Sequence, residues 1–156
     1  YFYNYKIKCS IGKRGLTDRK KEGDFKTPKG NFKFKFLLYR KDRIKKIKSK
    51  IKKAEIKKNM GWCDDPKSKN YNKLVKLPSK FKYEKLYKKN NIYDIILVLN
   101  YNMKPIIKNK GSAIFIHVAT KNYRKTEGCI ALKKRDLLEI IKKIKKNTKV
   151  KIETQK

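Results

Sequence analysis

Residues 92–102, IYDIILVLNYN, are an almost unbroken apolar run rich in β-branched side chains. Lysine recurs every third or fourth residue elsewhere, so this run has to leave water on both faces, as a central β-strand does. The stretch SAIFIHVA at 112–119 has the same character. In an extended backbone it sets His117 on the face of Phe115 and Ala113, opposite Ile114 and Ile116. NFKFKFLL at 31–38 alternates instead: Phe32, Phe34 and Phe36 share one face, Lys33 and Lys35 the other, which predicts a half-buried strand.

YFYNYKIKC at 1–9 and TKVKIET at 148–154 also read as strands. Residues 10–30, rich in Gly, Lys and Asp, read as a long loop, and 61–78 as an irregular segment that packs Trp62 and Tyr71. RDLLEIIKKIKK at 135–146 carries Leu137, Leu138, Ile141 and Ile144 on one face, acids near its start and lysines at its end, the pattern of a helix. Residues 43–58 are ambiguous, because Ile44, Ile47, Ile51 and Ala54 recur at helical spacing but form only a thin stripe. No repeat or linker divides the chain. The expectation is one mostly-β domain over 1–156, with one helix and enough length to bury a core.

A net charge of +34 invites a nucleic-acid reading. The lysines are spread through almost every block of ten, together with Ile, Asn, Tyr and Phe, and arginine, the better reader of bases and phosphates, is scarce. That spread fits an adenine- and thymine-rich coding background, so a specific nucleic-acid partner is not expected. The rival reading is an inactive basic module that binds nucleic acid or an anionic wall polymer. No run of eighteen apolar residues exists, so no transmembrane helix is expected. No signal-peptide core is visible and the chain starts at Tyr1, which fits a processed or trimmed product.

Cys9, Cys63 and Cys129 are odd in number and widely spaced, so at most one disulfide can form. Together with the single histidine they are a minimal Cys3His set, but the short Cys-x-x-Cys spacing of structural zinc sites is missing, and no metal or other cofactor is expected. Cys129 lies twelve residues after His117, in the segment SAIFIHVATKNYRKTEGCIAL. A thiol becomes a useful nucleophile beside a base, and an imidazole serves as that base and later as the acid. Gly128 permits a tight bend, and the amides of Gly128 and Cys129 are candidates to hold an oxyanion. The plain alternative is a small buried Cys and a satisfied core His.

GSAIFIHVA followed by TEGCIAL resembles the active-site signature of the L,D-transpeptidase catalytic domain, the YkuD-type family. The blocks GKRGL, KKEGDFKTPKGNFKF, GWCDDPKSKNYNKLVKLP and YDIILVLNYN resemble, in the same order, the branch with a TEGC core. The resemblance implies a β-sandwich or barrel-like domain with Cys129 at the end of a strand entering the helix. It implies a cysteine acyltransferase acting on peptidoglycan stem tetrapeptides in the cell envelope, most simply as a monomer. Cys129 would attack the carbonyl after the third residue and expel the terminal D-alanine. An amine or water would then resolve the acyl-enzyme, with His117 as base and then acid. Thr126, Glu127, Trp62 and Tyr71 are candidate substrate-binding residues. The sequence departs from the commoner pattern in a shorter His117–Cys129 spacer, in Glu127 where a histidine is usual, and in Ala131 where an arginine often follows Gly-Cys-Ile. Two roles are open to Glu127, raising the thiol pKa or holding an imidazolium. Trp62 is read either as a groove wall or as loop packing.

Overall fold

The computed structural model describes residues 5–154. In chain order the elements are β1 (Cys9–Ser10), β2 (Leu16–Thr17), β3 (Thr27–Pro28), β4 (Gly30–Tyr39), β5 (Lys53–Glu55), β6 (Met60–Cys63), β7 (Leu74–Lys76), β8 (Tyr83–Lys85), β9 (Ile95–Leu99), β10 (Phe115–Val118), β11 (Ile130–Leu132), α1 (Lys134–Lys143) and β12 (Lys149–Ile152). The main sheet runs β1-β11-β10-β9-β4-β12, with β5 joined to the outer part of β4. β9 is central and buried along its whole length, as its apolar run demands.

The two faces of β9 feed two cores. Ile95, Leu97 and Leu99 meet Leu137, Ile140 and Ile141 of α1 on one side. Ile96 and Val98 meet Trp62, Leu86 and Phe115 on the other, where a small antiparallel sheet, β7-β6-β8, covers the main one. The result is a mostly-β, sandwich-like fold with a single helix among the described residues.

Several expectations change in detail. Of the strand read over 1–9, residues 1–4 lie outside the described residues, and β1 starts only at Cys9. In β4 the pairing with β9 slips between Phe34 and Phe36. The slip turns Phe36 to the core of Trp62, while Phe32 and Phe34 stay with that of Leu97, so the three rings do not share a face. Residues 43–52 are not helical. Like-charged lysines four apart oppose a helix there, and Ser49 Oγ takes up the Ile51 N–H at 3.2 Å; Ile44, Ile47 and Ile51 reach the core from an irregular chain. Residues 61–78 are more regular than their composition suggests, since Met60–Trp62 pair with Leu74–Lys76. The helix runs over 134–143, shorter than the periodicity indicates; Ile144 is extended yet buried, and Ile140 takes the core position read for Leu138.

Candidate functional site

The TEGC turn is tied by side chains of its own and by a distant loop. The Thr126 hydroxyl donates to the Cys129 carbonyl at 2.5 Å and accepts the Gly128 N–H at 3.2 Å. Its backbone is held by Ile11 and Lys13 through bonds of 3.0 and 2.8 Å. Thr27 adds a clamp, its hydroxyl donating to the Gly128 carbonyl at 2.8 Å while accepting the Gly12 N–H at 2.9 Å. Gly128 has φ +141, and a Cβ there would lie 2.9 Å from the Lys26 carbonyl oxygen, so both backbone and space require glycine. Behind this turn Lys20 is 6 % exposed, with Nζ 2.5 Å from Asp24 Oδ1 and 3.0 Å from the Lys21 carbonyl. The same Nζ would stand 3.6 Å from a Gly128 Cβ, which puts a buried ammonium next to the peptide that joins Gly128 to Cys129.

Cys129 precedes β11 and so opens a strand, where the resemblance implied the end of one; three strand residues separate it from the approach to α1. Its Sγ donates to the Ala113 carbonyl at 3.0 Å and accepts the Phe115 N–H at 3.4 Å. His117 is registered with Ala131 in the parallel pairing of β10 and β11, so Cys129, two positions before Ala131, addresses the same face. His117 Nδ1 lies 3.0 Å from the Val118 carbonyl. A carbonyl only accepts, so in this contact Nδ1 is the nitrogen that carries the proton. Tyr93 packs edge-on to the imidazole, with ring centres 5.3 Å apart.

Burial pushes the Cys129 thiol up to about 12, against the opposing pull of the Phe115 amide and Lys20, and burial lowers His117 below its ordinary 6.5. Both shifts favour the uncharged forms. The resting pair is therefore thiol and imidazole, not the pre-formed ion pair of a cysteine whose pKa is depressed.

Cys129 and His117 line one cavity of about 650 Å³, together with Tyr93, Ser112, Thr126 and Glu127. Trp62 and Tyr71 are not on it. Trp62 is 2 % exposed, donates from Nε1 to Asn72 Oδ1 at 3.0 Å and stacks edge-on against Phe115, so packing is the reading its surroundings support. Tyr71 is buried and donates to Glu22 Oε2 at 2.5 Å. Glu127 projects into solvent with Lys13 Nζ 3.5 Å away, turned from the role of holding an imidazolium. The Gly128 amide is already engaged by Thr126, so it is not a ready oxyanion donor. All three cysteines are free thiols, Cys9 exposed and Cys63 buried.

A sequence model described as the YkuD L,D-transpeptidase catalytic domain matches residues 2–152. The chain belongs to the L,D-transpeptidase family. No curated protein and no solved structure gives a significant match.

In this L,D-transpeptidase domain Ala131 is buried beside His117 in the β10–β11 ladder and brings no charge to the cavity that it lines. The cations that face the cavity are instead Lys13, Lys82, Lys88, Arg124 and Lys125. Arg124, five residues before Cys129, escapes a reading of the motif alone; an arginine in a chain that otherwise favours lysine was the available signal. Lys20 gives no such signal among so many lysines, and only its burial distinguishes it.

Proposed function

We propose that this L,D-transpeptidase domain is a single catalytic unit that transfers acyl groups of peptidoglycan stem tetrapeptides through Cys129, without a cofactor. The supporting observation is the shared cavity of Cys129 and His117, in which the Val118 carbonyl holds the imidazole through Nδ1. Sγ attacks the carbonyl carbon after the third residue as its proton passes to Nε2. The tetrahedral intermediate collapses, the C–N bond breaks, and the departing D-alanine amine takes the proton back from His117. An amine or water then attacks the thioester, gives its proton to His117, and releases product as the thiol is re-protonated. Such a substrate puts the site of action in the cell envelope.

Incubation with purified disaccharide tetrapeptide, followed by mass analysis of protein and products, tests the reading. The expected result is a protein adduct equal to the tetrapeptide less alanine, with free alanine released. Neither adduct nor alanine at any pH from 6 to 10 would overturn it.

A further inference from the structure

Asn72 is 3 % exposed, and its side-chain amide has every hydrogen-bonding position filled. Oδ1 accepts the Trp62 Nε1–H at 3.0 Å and the Ala113 N–H at 3.1 Å. Nδ2 donates to the carbonyls of Tyr101 at 3.1 Å and Asn102 at 2.7 Å. Two donors and two lone pairs are all that such an amide has. Residues 100–114 join β9 to β10, so one side chain from the β6–β7 connection fastens both ends of that segment.

A second observation is the backbone of Ala113, which has φ +52. Asn72, Asn102 and Asn109 share the left-handed region, where a short amide side chain is tolerated, but alanine has no group of its own to offset the cost. Contacts from outside residue 113 have to hold it there, and its N–H is bonded to Asn72. The carbonyl of the same residue accepts the Cys129 thiol at 3.0 Å, and Phe115, two residues on, gives its N–H to the sulfur at 3.4 Å. Relaxation of Ala113 to negative φ would turn its peptide planes and take the carbonyl off the thiol.

We propose that Asn72 is a positioning residue for Cys129: by pinning Ala113 in the left-handed region it sets the carbonyl that orients the thiol in the cavity. Asn72 does not line that cavity and acts through a single peptide. The consequence for turnover rests on the acyl-transfer reading, while the hold on the thiol does not depend on it.

Two variants remove the amide: Asn72→Gly, which leaves the backbone free to keep its φ of +56, and Asn72→Ser. The readout is alkylation of each cysteine by iodoacetamide from pH 6 to 10, resolved by peptide mapping. A thiol that loses its acceptor holds its proton less firmly, so Cys129 should react about tenfold faster at pH 7 in both variants, with its profile displaced to lower pH. Cys63, 1 % exposed and bonded through its carbonyl to the Asn72 N–H, should stay as slow as in the parent, which a general loosening of the fold would not allow. Ala113→Gly reaches positive φ unaided, so alone it should stay close to the parent, and in combination it should shrink the effect of Asn72→Gly. With the stem tetrapeptide the variants should lose about tenfold in kcat with KM little changed.

An unmoved Cys129 profile, a matching rise at Cys63, an effect undiminished in the Ala113→Gly background, or failure of both variants to fold would overturn the role. A displaced profile in a protein whose wild type forms no acyl-enzyme would sink the acyl-transfer reading alone. Acylation by the wild type with an unmoved profile in the variants would sink the positioning role alone.

Discussion

The Sγ of Cys129 and the carbonyl oxygen of Ala113 lie 3.0 Å apart, and because a carbonyl has no proton to give, the thiol is the donor. Cys129 therefore rests protonated, in agreement with a burial that pushes its thiol up to about 12. In the proposed reaction, activation happens during attack, as the proton moves to His117.

Alkylation by iodoacetamide reads this state directly. Only thiolate reacts, so modification of Cys129 should be slow at pH 7 and climb steadily through pH 10, about tenfold per unit while the thiolate remains a minor form. Peptide mapping separates it from the exposed Cys9. A plateau below pH 8 would mean a pre-formed thiolate.

Cys129→Ala and His117→Ala should each lower turnover more than about a thousandfold, and the double variant should be no worse, since the two groups act as one unit. Cys63→Ala, buried away from the cavity, should keep activity. Circular dichroism and product assays on the four proteins check both halves of the expectation.

His117 also links stability to pH. Its folded-state pKa lies below 6.5, so under mildly acidic conditions the unfolded chain binds a proton that the folded chain refuses. The contribution is fully present above about pH 6.5 and is lost as pH falls toward the folded value. Urea unfolding between pH 5 and 7 should show a positive slope that His117→Gln reduces; an unchanged slope would show that the imidazole accepts a proton in the fold.

Lys20 and Asp24 form an ion pair with side chains 5 % and 15 % exposed. Lys20→Met strands a carboxylate that also accepts the Lys21 and Lys26 amides, and should cost about 3 kcal/mol in chemical denaturation. Adding Asp24→Asn should restore part of that loss. Equal stability of the two variants would show that the carboxylate stays well hydrated without Lys20.

The strands that carry the site were legible because their composition left no alternative: Ile95–Leu99 and Phe115–Val118 are too apolar to lie on the surface of so basic a chain. Cys129 and His117 were singled out by chemical type, and the register of β10 with β11 supplies the reason that they share a face. The bulge in β4 was hidden because alternation in the sequence carries no mark of an inserted residue. Trp62 illustrates a different limit, since aromaticity serves a groove and a core equally well and only the position of Phe115 decides. The acids of the cavity come from residues 22, 64 and 84, too far apart in the chain for any local pattern to join them.

Thr27 and Gly128 stand 101 residues apart, yet one hydroxyl fastens the loop before β3 to the turn that presents the thiol. During synthesis Thr27 emerges 101 residues before its counterpart, so the clamp closes only after residue 128 has left the ribosome. A chain that ends before residue 128 has neither Cys129 nor the turn, so the clamp and the proposed site come into being together and not one after the other.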